Sequence, residues 1–406
     1  MTSGVGRKNT LYTAENTTAP CFRLFTSIAE AKADWDKAAP QNDLFLRSPY
    51  LAALEAHKPN GMRLFFMVFY QENTPVGVAL AQLQYFSGKT NYRIEPGTNL
   101  SAWQKWLEKL KKWIASRFSF HVLVCGNLLI TGDHAAHFDF QRIRREQAVL
   151  LLDGALTQLA GALRREHLDI PVLLYKDLLP DRLAERRTLR GNACLEFLIQ
   201  PNMVLPLSFD TFDDYLEAMT TKYRTRAKRA FKKAVGIEKR ELTLSDVLRL
   251  EGTMYALYKS VSDGAGFNMV SLNPGYFAGL KRDLPDDFRV FGYYEGEKLI
   301  SFFTTIGNHD TMEAHFLGYD KDLNHDKQLY LNMLYDIIRV AISSGYQEVV
   351  FARTALEIKS SVGAEPRQLC CFVRHESPLI NRLGRRVFRF VNSEEQWVQR
   401  HPFKEH

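Results

Sequence analysis

The sequence predicts an α/β chain built from two similar halves, each a mixed sheet flanked by helices. Three observations carry this. Apolar residues alternate between the two-residue period of strands and the wider period of helices along most of the chain. The order hairpin, strand, helix, strand occurs twice, about two hundred residues apart, with negligible identity between the copies. In the second copy a strand (Thr311 to Tyr319), a helix (Lys327 to Ser344) and a strand (Tyr346 to Phe351) have the lengths of a right-handed crossover between parallel neighbours.

Residues 1–20 carry no apolar h-region and read as a flexible tail rather than a signal peptide. The first half is expected over 21–200. Ser27 to Ala38 has helical spacing. Ser48-Pro49 opens a second helix, serine capping it and proline fitting its first turn, and Pro59-Asn60-Gly61 ends it. Met62 to Tyr70 and Val76 to Phe86 form a hairpin around ENTPVG. Leu100 to Phe118 reads as a helix with Trp103, Trp106 and Trp113 on a broad apolar face. Phe120 to Cys125 is a strand, Arg145 to Glu166 an amphipathic helix, and Pro171 to Tyr175 a further strand. Leu178 to Gln200 connects the halves.

The second half is expected over 201–406. Phe288 to Tyr294 and Leu299 to Ile306 form its hairpin, and the crossover follows. Gly345 is a natural stop for the crossover helix. Thr354 to Ser361 is a short helix ended by Gly363 and Pro366, and Leu369 to Val373 (LCCFV) is the last strand.

Composition excludes several classes. Hydrophobic content of 46% and charged content of 24% are those of a globular chain, and 406 residues are too many for one core. No apolar run approaches the roughly 18 residues that span a bilayer, so no transmembrane association is expected. Cys21, Cys125, Cys194, Cys370 and Cys371 form neither a disulfide framework nor a zinc pattern. A reducing, cytoplasmic setting is expected. His134, His137 and Asp139 are a lone cluster and read as loop, so no metal is expected. Ser262 to Asn268 (SDGAGFN) follows no strand and reads as loop, not a phosphate cradle. The first half shows no catalytic set and is expected to form an acceptor groove or to brace the second.

Phe212 to Val235 is the most polar helix. Lys222, Arg226, Arg229 and Lys233 fall on one stripe at steps of four, three and four, beside Tyr223. Cations packed this densely repel one another and are more stable beside an anion such as a phosphate; the alternative is a solvated face. On the strand from Thr311, alternation places Glu313, His315, Leu317 and Tyr319 on one face, and Met312, Ala314, Phe316 and Gly318 on the other. Glu313 and His315 are therefore candidate general bases. Arg353 and Glu357 are spaced to pair with each other.

Three stretches resemble a known family: KYRTRAKRAFKKA, HFLGYDKDLNHDKQLYLNMLYDII and RTALEIKSSVGAEP. Together with the repeated element order, they resemble tandem GNAT folds, and within the GNAT superfamily the FemAB-like acyltransferase branch. The resemblance covers about Phe22 to Cys371 as architecture and is specific over Asp214 to Pro366. It implies transfer of an acyl group from a thioester, acyl-CoA as co-substrate, to a small-molecule or peptide amine. It also implies a pyrophosphate at the N-terminus of the crossover helix, with Tyr319, Lys327, Gln328, Leu329, Tyr330 and Arg353 lining the donor site. Two departures stand out. The glycines of the usual Gln/Arg-x-x-Gly-x-Gly/Ala turn are replaced by His325, Asp326, Lys327 and Gln328. The spacing Ala-x-x-x-Tyr-x-x-x-Gly becomes Ala355, Lys359, Gly363, with lysine where a tyrosine would protonate the leaving thiolate. Lys359 is thus a candidate catalytic residue. The FemAB-like branch also lacks those glycines, and some members take their acyl group from aminoacyl-tRNA to extend a cell-wall precursor. A non-catalytic binding protein that retains the fold is the third reading.

Overall fold

The computed structural model describes residues 20–91, 117, 119–264, 269–382 and 397–404. The expected tail up to residue 19 and nearly all of the expected helix over Leu100 to Phe118 lie outside the described residues.

In the first half the strands are β1 (Cys21–Phe25), β2 (Arg63–Gln71), β3 (Thr74–Ser87), β4 (Ser119–Cys125), β5 (Ala136–Phe138), β6 (Val172–Leu178) and β7 (Leu195–Leu198). The helices are α1 (Ile28–Ala38), α2 (Ser48–His57), α3 (Gly88–Asn91), α4 (Arg145–Arg165) and α5 (Leu183–Gly191). The second half adds β8 (Asn202–Pro206), α6 (Phe212–Ala218), α7 (Thr221–Lys233), β9 (Ile237–Glu241), α8 (Leu244–Ser262) and α9 (Tyr276–Asp283). Then come β10 (Phe288–Glu295), β11 (Lys298–Asn308), β12 (Thr311–Tyr319), α10 (Lys321–Lys327) and α11 (Leu329–Ser343). The last are β13 (Glu348–Val350), α12 (Leu356–Ser360), β14 (Glu365–Arg367) and β15 (Cys370–His375).

The two sheets repeat one plan. The first runs β1-β2-β3-β4-β6-β15-β7, with β5 also on β3; the second, read from its other edge, runs β9-β10-β11-β12-β13-β8-β14. The hairpin β2–β3 corresponds to β10–β11. The parallel pair β4 and β6, with α4 between them in sequence, corresponds to β12 and β13, with α11 between them. Positive φ angles at Glu72 and Asn73 make the tight turn of the first hairpin.

The sixth position of each sheet is filled by exchange. β15, expected as the last strand of the second half, instead lies between β6 and β7 of the first sheet, antiparallel to both. The matching place in the second sheet is taken by β8, the first strand of that half. Sheet membership therefore does not follow the expected division at residue 200. The reason is burial: Cys370, Cys371, Phe372 and Val373 are all buried, and a strand apolar on both faces needs neighbours on both edges and cover above and below.

Two local expectations also change. The helix expected over Phe212 to Val235 is two helices, α6 and α7, because Met219 and Thr220 are extended. The C-terminal segment occupies that break: Thr220 N–H donates to Pro402 O (2.8 Å) and Lys404 N–H to Ala218 O (3.1 Å). Ser48 does not cap α2. It lies inside the helix, and its Oγ accepts a hydrogen bond from Lys32 Nζ (2.7 Å).

The halves share a core. Trp35, Tyr50, Leu51 and Leu54 from α1 and α2 join Val247, Met254, Phe277 and Leu280 from α8 and α9 in one cluster. At Gly279 a Cβ would lie 2.4 Å from the His57 ring, so only glycine admits this approach, and His57 Nε2 bonds Asp283 Oδ2 across it at 2.8 Å. No described helix is long and apolar enough to cross a membrane.

Candidate active site

β12 and β13 run parallel for only three pairs, Thr311↔Glu348, Met312↔Val349 and Glu313↔Val350. β13 then ends, while β12 continues to Tyr319 along β11. The edge of β12 that faces β13 therefore opens into a gap beginning at Glu313.

A bulge sets what faces this gap. Phe303 pairs with Leu317 but Thr305 with Ala314, so Thr304 opposes both His315 and Phe316. Thr304 Oγ1 accepts from Phe316 N–H (3.0 Å) and donates to Phe316 O (3.0 Å), filling the space the ladder leaves open. The extra residue reverses the alternation beyond it. Met312, Ala314, Leu317 and Tyr319 pack against the cluster of α6, α7 and α11, whereas Phe316 packs with the core shared by both halves. The expected grouping of Glu313 and His315 with Leu317 and Tyr319 is corrected accordingly.

His315 is enclosed by Tyr276, Phe288 and Phe316. Its Nε2 lies 3.1 Å from Tyr276 Oη and its Nδ1 3.4 Å from Thr304 Oγ1. Burial pushes the imidazole down to about 3, so the ring is neutral and a weak proton acceptor. This geometry describes a packed, hydrogen-bonded residue.

Glu313 differs. It is 5% exposed, and its carboxyl makes no hydrogen bond among the described residues. Burial pushes its carboxyl up to about 8; the charges of Glu348 and Asp43 add to this, and His134 and Lys176 oppose it. The groups around it come largely from the first half. Asp43 Oδ2 bonds His134 Nδ1 at 2.8 Å; burial lowers the imidazole, but Asp43 together with Glu313 and Asp133 raises it overall. Asn308 ties the pair to the second sheet, its Oδ1 accepting from Leu44 N–H (2.7 Å) and its Nδ2 facing Asp43 Oδ1 (3.4 Å). Asn308 lies two residues beyond Ile306, the partner of Glu313 in β11, and so on the same face. Lys176 donates to Ile130 O (2.7 Å) and to Asp177, which also receives Gly132 N–H (3.0 Å) and an ion pair from Arg353. Burial alone would raise Asp177, but Lys176 and Arg353 beside it hold the carboxyl below its usual range.

Asp43, His134, Lys176, Asp177 and Asn308 were not identified from sequence. The only signal was GDHAAHFD, read there as a loop. Arg353, expected at the donor site, instead reaches Asp177, and Glu357 pairs with Arg400 (3.1 Å) rather than with Arg353.

Lys359 is buried in α12. Its Nζ donates to Arg353 O (2.7 Å) and Ala352 O (3.3 Å) and pins a turn in which Ala352, Thr354 and Ala355 have φ of 56, 73 and 48°. Non-glycine residues adopt such angles only where neighbours enforce them. Burial pushes the amine down to about 7. The unfolded chain binds a proton here that the folded chain releases between about 7 and 10.5, so this group makes stability rise with pH through that window. Lys359→Met is expected to remove that rise. At pH 9, where the amine is neutral and its two bonds persist, it should cost about 1–3 kcal/mol by urea unfolding.

The turn before α11 is a joint between two helices. Residues 321–327 are helical, and Gln328 makes the joint in a left-handed conformation (φ 49°). Asn324 Oδ1 accepts from Tyr330 N–H (2.9 Å), Lys327 pairs with Glu295 (3.0 Å), and Leu329 is buried. Asn332 Nδ2 donates to Gln328 O (3.0 Å) and Ala230 O (2.9 Å). Tyr319 and Tyr330 do meet, with ring centres 6.1 Å apart. On α7, Tyr223, Arg226 and Arg229 line a cleft of about 650 Å³, while Lys233 reaches His325 O instead (3.4 Å).

Two sheets of one plan, each with a parallel strand–helix–strand unit following a hairpin, define a tandem GNAT-like fold. No family model matches the chain, and no curated protein matches it. Solved structures do. The chain is similar to FemX at 11% identity and a TM-score of 0.52, over 91% of this chain and 99% of that one. It is also similar to a tandem GNAT protein from the clavulanic acid biosynthesis pathway, at 11% identity and a TM-score of 0.50, over 89% of this chain and 99% of that one.

Proposed function

We propose that this chain is an N-acyltransferase that moves an acyl group from a thioester, acyl-CoA, to a small-molecule or peptide amine. The observation that carries the reading is Glu313, a buried carboxyl without a hydrogen-bond partner among the described residues, at the point where β12 and β13 part. A carboxyl raised to about 8 is matched to taking a proton from an ammonium near neutral pH. The acceptor enters on the Glu313 face, between the halves, where Asp43 and His134 stand. The acyl arm enters the gap from the opposite face, beside α11 and α12. Glu313 takes one proton from the ammonium. The amine attacks the thioester carbonyl and a C–N bond forms. The C–S bond then breaks, and the thiolate leaves with the second nitrogen proton. Lys359 holds the turn that borders the gap and is a positioning residue. No metal enters this scheme. The unpaired cysteines suit a cytoplasmic location.

The closed turn before α11 favours a second reading, in which the donor is an aminoacyl-tRNA and the reaction extends a cell-wall precursor. Thermal unfolding with acetyl-CoA, a longer acyl-CoA and free CoA separates the two. A ligand at one hundred times its dissociation constant adds about 2.7 kcal/mol. A clear rise in Tm with an acyl-CoA supports the thioester donor. No rise with any of them overturns it and leaves the tRNA donor or the binding protein without turnover.

A further inference from the structure

The cleft on α7 is lined on one wall by Lys222, Arg226 and Arg229, with the hydroxyls of Thr221 and Thr225 among them. The opposite wall is α12 and Arg400 from the C-terminal segment. Among the described residues four cations and one carboxylate line it, a net charge of +3. That carboxylate, Glu357, is already engaged: it accepts from Val398 N–H (3.2 Å) and pairs with Arg400 (3.1 Å). Lys222, Arg226 and Arg229 make no ion pair among the described residues. Some arginines elsewhere are paired, as Arg186 is with Glu196 and Arg289 with Glu241. Unpaired cations converging on a concavity of this size raise the local potential for a polyanion. Meanwhile the turn before α11 is filled by the chain's own groups, Asn324, Lys327 and Glu295. Tyr223, in the cleft, packs in the same cluster as Leu317 and Tyr319, so the cleft lies on the side of the sheet opposite the Glu313 face.

We infer that the cleft between α7, α12 and Arg400 holds the phosphate groups of the acyl donor, in place of the turn before α11. The inference rests on the acyl-transfer reading and assigns where the donor's charge is bound. Phosphate esters are the shared chemistry; a nucleotide thioester and the end of an RNA both present them, and guanidinium groups grip either.

The test is calorimetric titration of the full chain with two probes in separate arms, free CoA and a short RNA hairpin ending in CCA. Arg226→Glu with Arg229→Glu reverses the wall. Lys228→Glu with Lys232→Glu changes the same helix equally in charge but lies outside the cleft. Both pairs are exposed, so the fold should tolerate the changes, and Tm checks this. A milder pair, Arg226→Gln with Arg229→Gln, repeats the test without reversing charge. At least one probe is expected to bind, with a loss of tenfold or more from the cleft pairs and under threefold from the Lys228/Lys232 pair. If the hairpin is the one that binds, its salt slope should fall by about 2. Absence of binding by both probes, or equal losses from the two charge-reversed pairs, overturns the site. Amine-dependent turnover in a chain that fails this test would leave acyl transfer standing without the cleft. Cleft-dependent binding without turnover would do the reverse.

Discussion

Glu313→Gln is expected to lower amine-dependent turnover by about 10²–10⁴-fold, the usual contribution of a general base, while the chain stays folded. Stability gives an independent reading of the same group. The carboxyl is raised in the folded chain from 4.5 to about 8, so folded protein keeps a proton that unfolded protein releases between those values. Its contribution to stability is therefore lost as pH rises through this window and is constant above it. Near pH 8 the penalty is on the order of 4 kcal/mol, and near pH 5 it is below about 1 kcal/mol. Glutamine cannot ionise and feels none of it. Any change in packing made by the substitution affects both pH values alike, so the difference between them isolates the titration. Unfolding of the Gln variant relative to the parent should improve markedly between pH 5 and pH 8. A variant that tracks the parent at both pH values would mean that Glu313 is not a raised carboxyl.

A chain ending at Gln368 is expected not to fold. It loses β15, whose backbone hydrogen-bonds β6 on one edge and β7 on the other. It also loses the segment 397–404, which fills the break between α6 and α7 and places Phe403 against Gly363, where an added Cβ would meet the ring at 2.4 Å. Phe372 is fully buried, and Phe372→Ala alone should cost about 3–5 kcal/mol. Whole-domain stability is only about 5–15 kcal/mol. The same exchange means that residues 21–200 expressed alone lack their sixth strand. With α1 and α2 sharing a core with α8 and α9, the intact chain should unfold in one transition. A soluble 1–368 chain with a cooperative melt would contradict this account of the exchange.

What the sequence disclosed was whatever depends on local pattern. β12 lies over the expected Thr311 to Tyr319, and α11 lies within the expected Lys327 to Ser344. Both follow from periodicity within the segment, as does each hairpin. The position of β15 was not legible, because an apolar run on both faces demands burial without naming the neighbour. The bulge at His315 and Phe316 leaves no mark in the sequence; it shows only when Thr304 is found opposite two residues. The break at Met219 and Thr220 depends on Pro402 and Lys404, far along the chain. Of the candidate site, Glu313 was visible by its place on the strand, and Lys359 by its spacing to Ala355 and Gly363. The carbonyl partners of Lys359 follow from the strained turn. The company of Glu313 follows from docking of the halves, which brings Asp43 and His134 over β11 and β12.

The most direct test of the central claim is release of free thiol from acyl-CoA by the purified chain, with and without a panel of primary amines, between pH 6 and 9. The account predicts release that requires an amine, rises with pH to a midpoint near 8 and is lost in Glu313→Gln. Release that ignores the amine, or that survives the substitution unchanged, would contradict it.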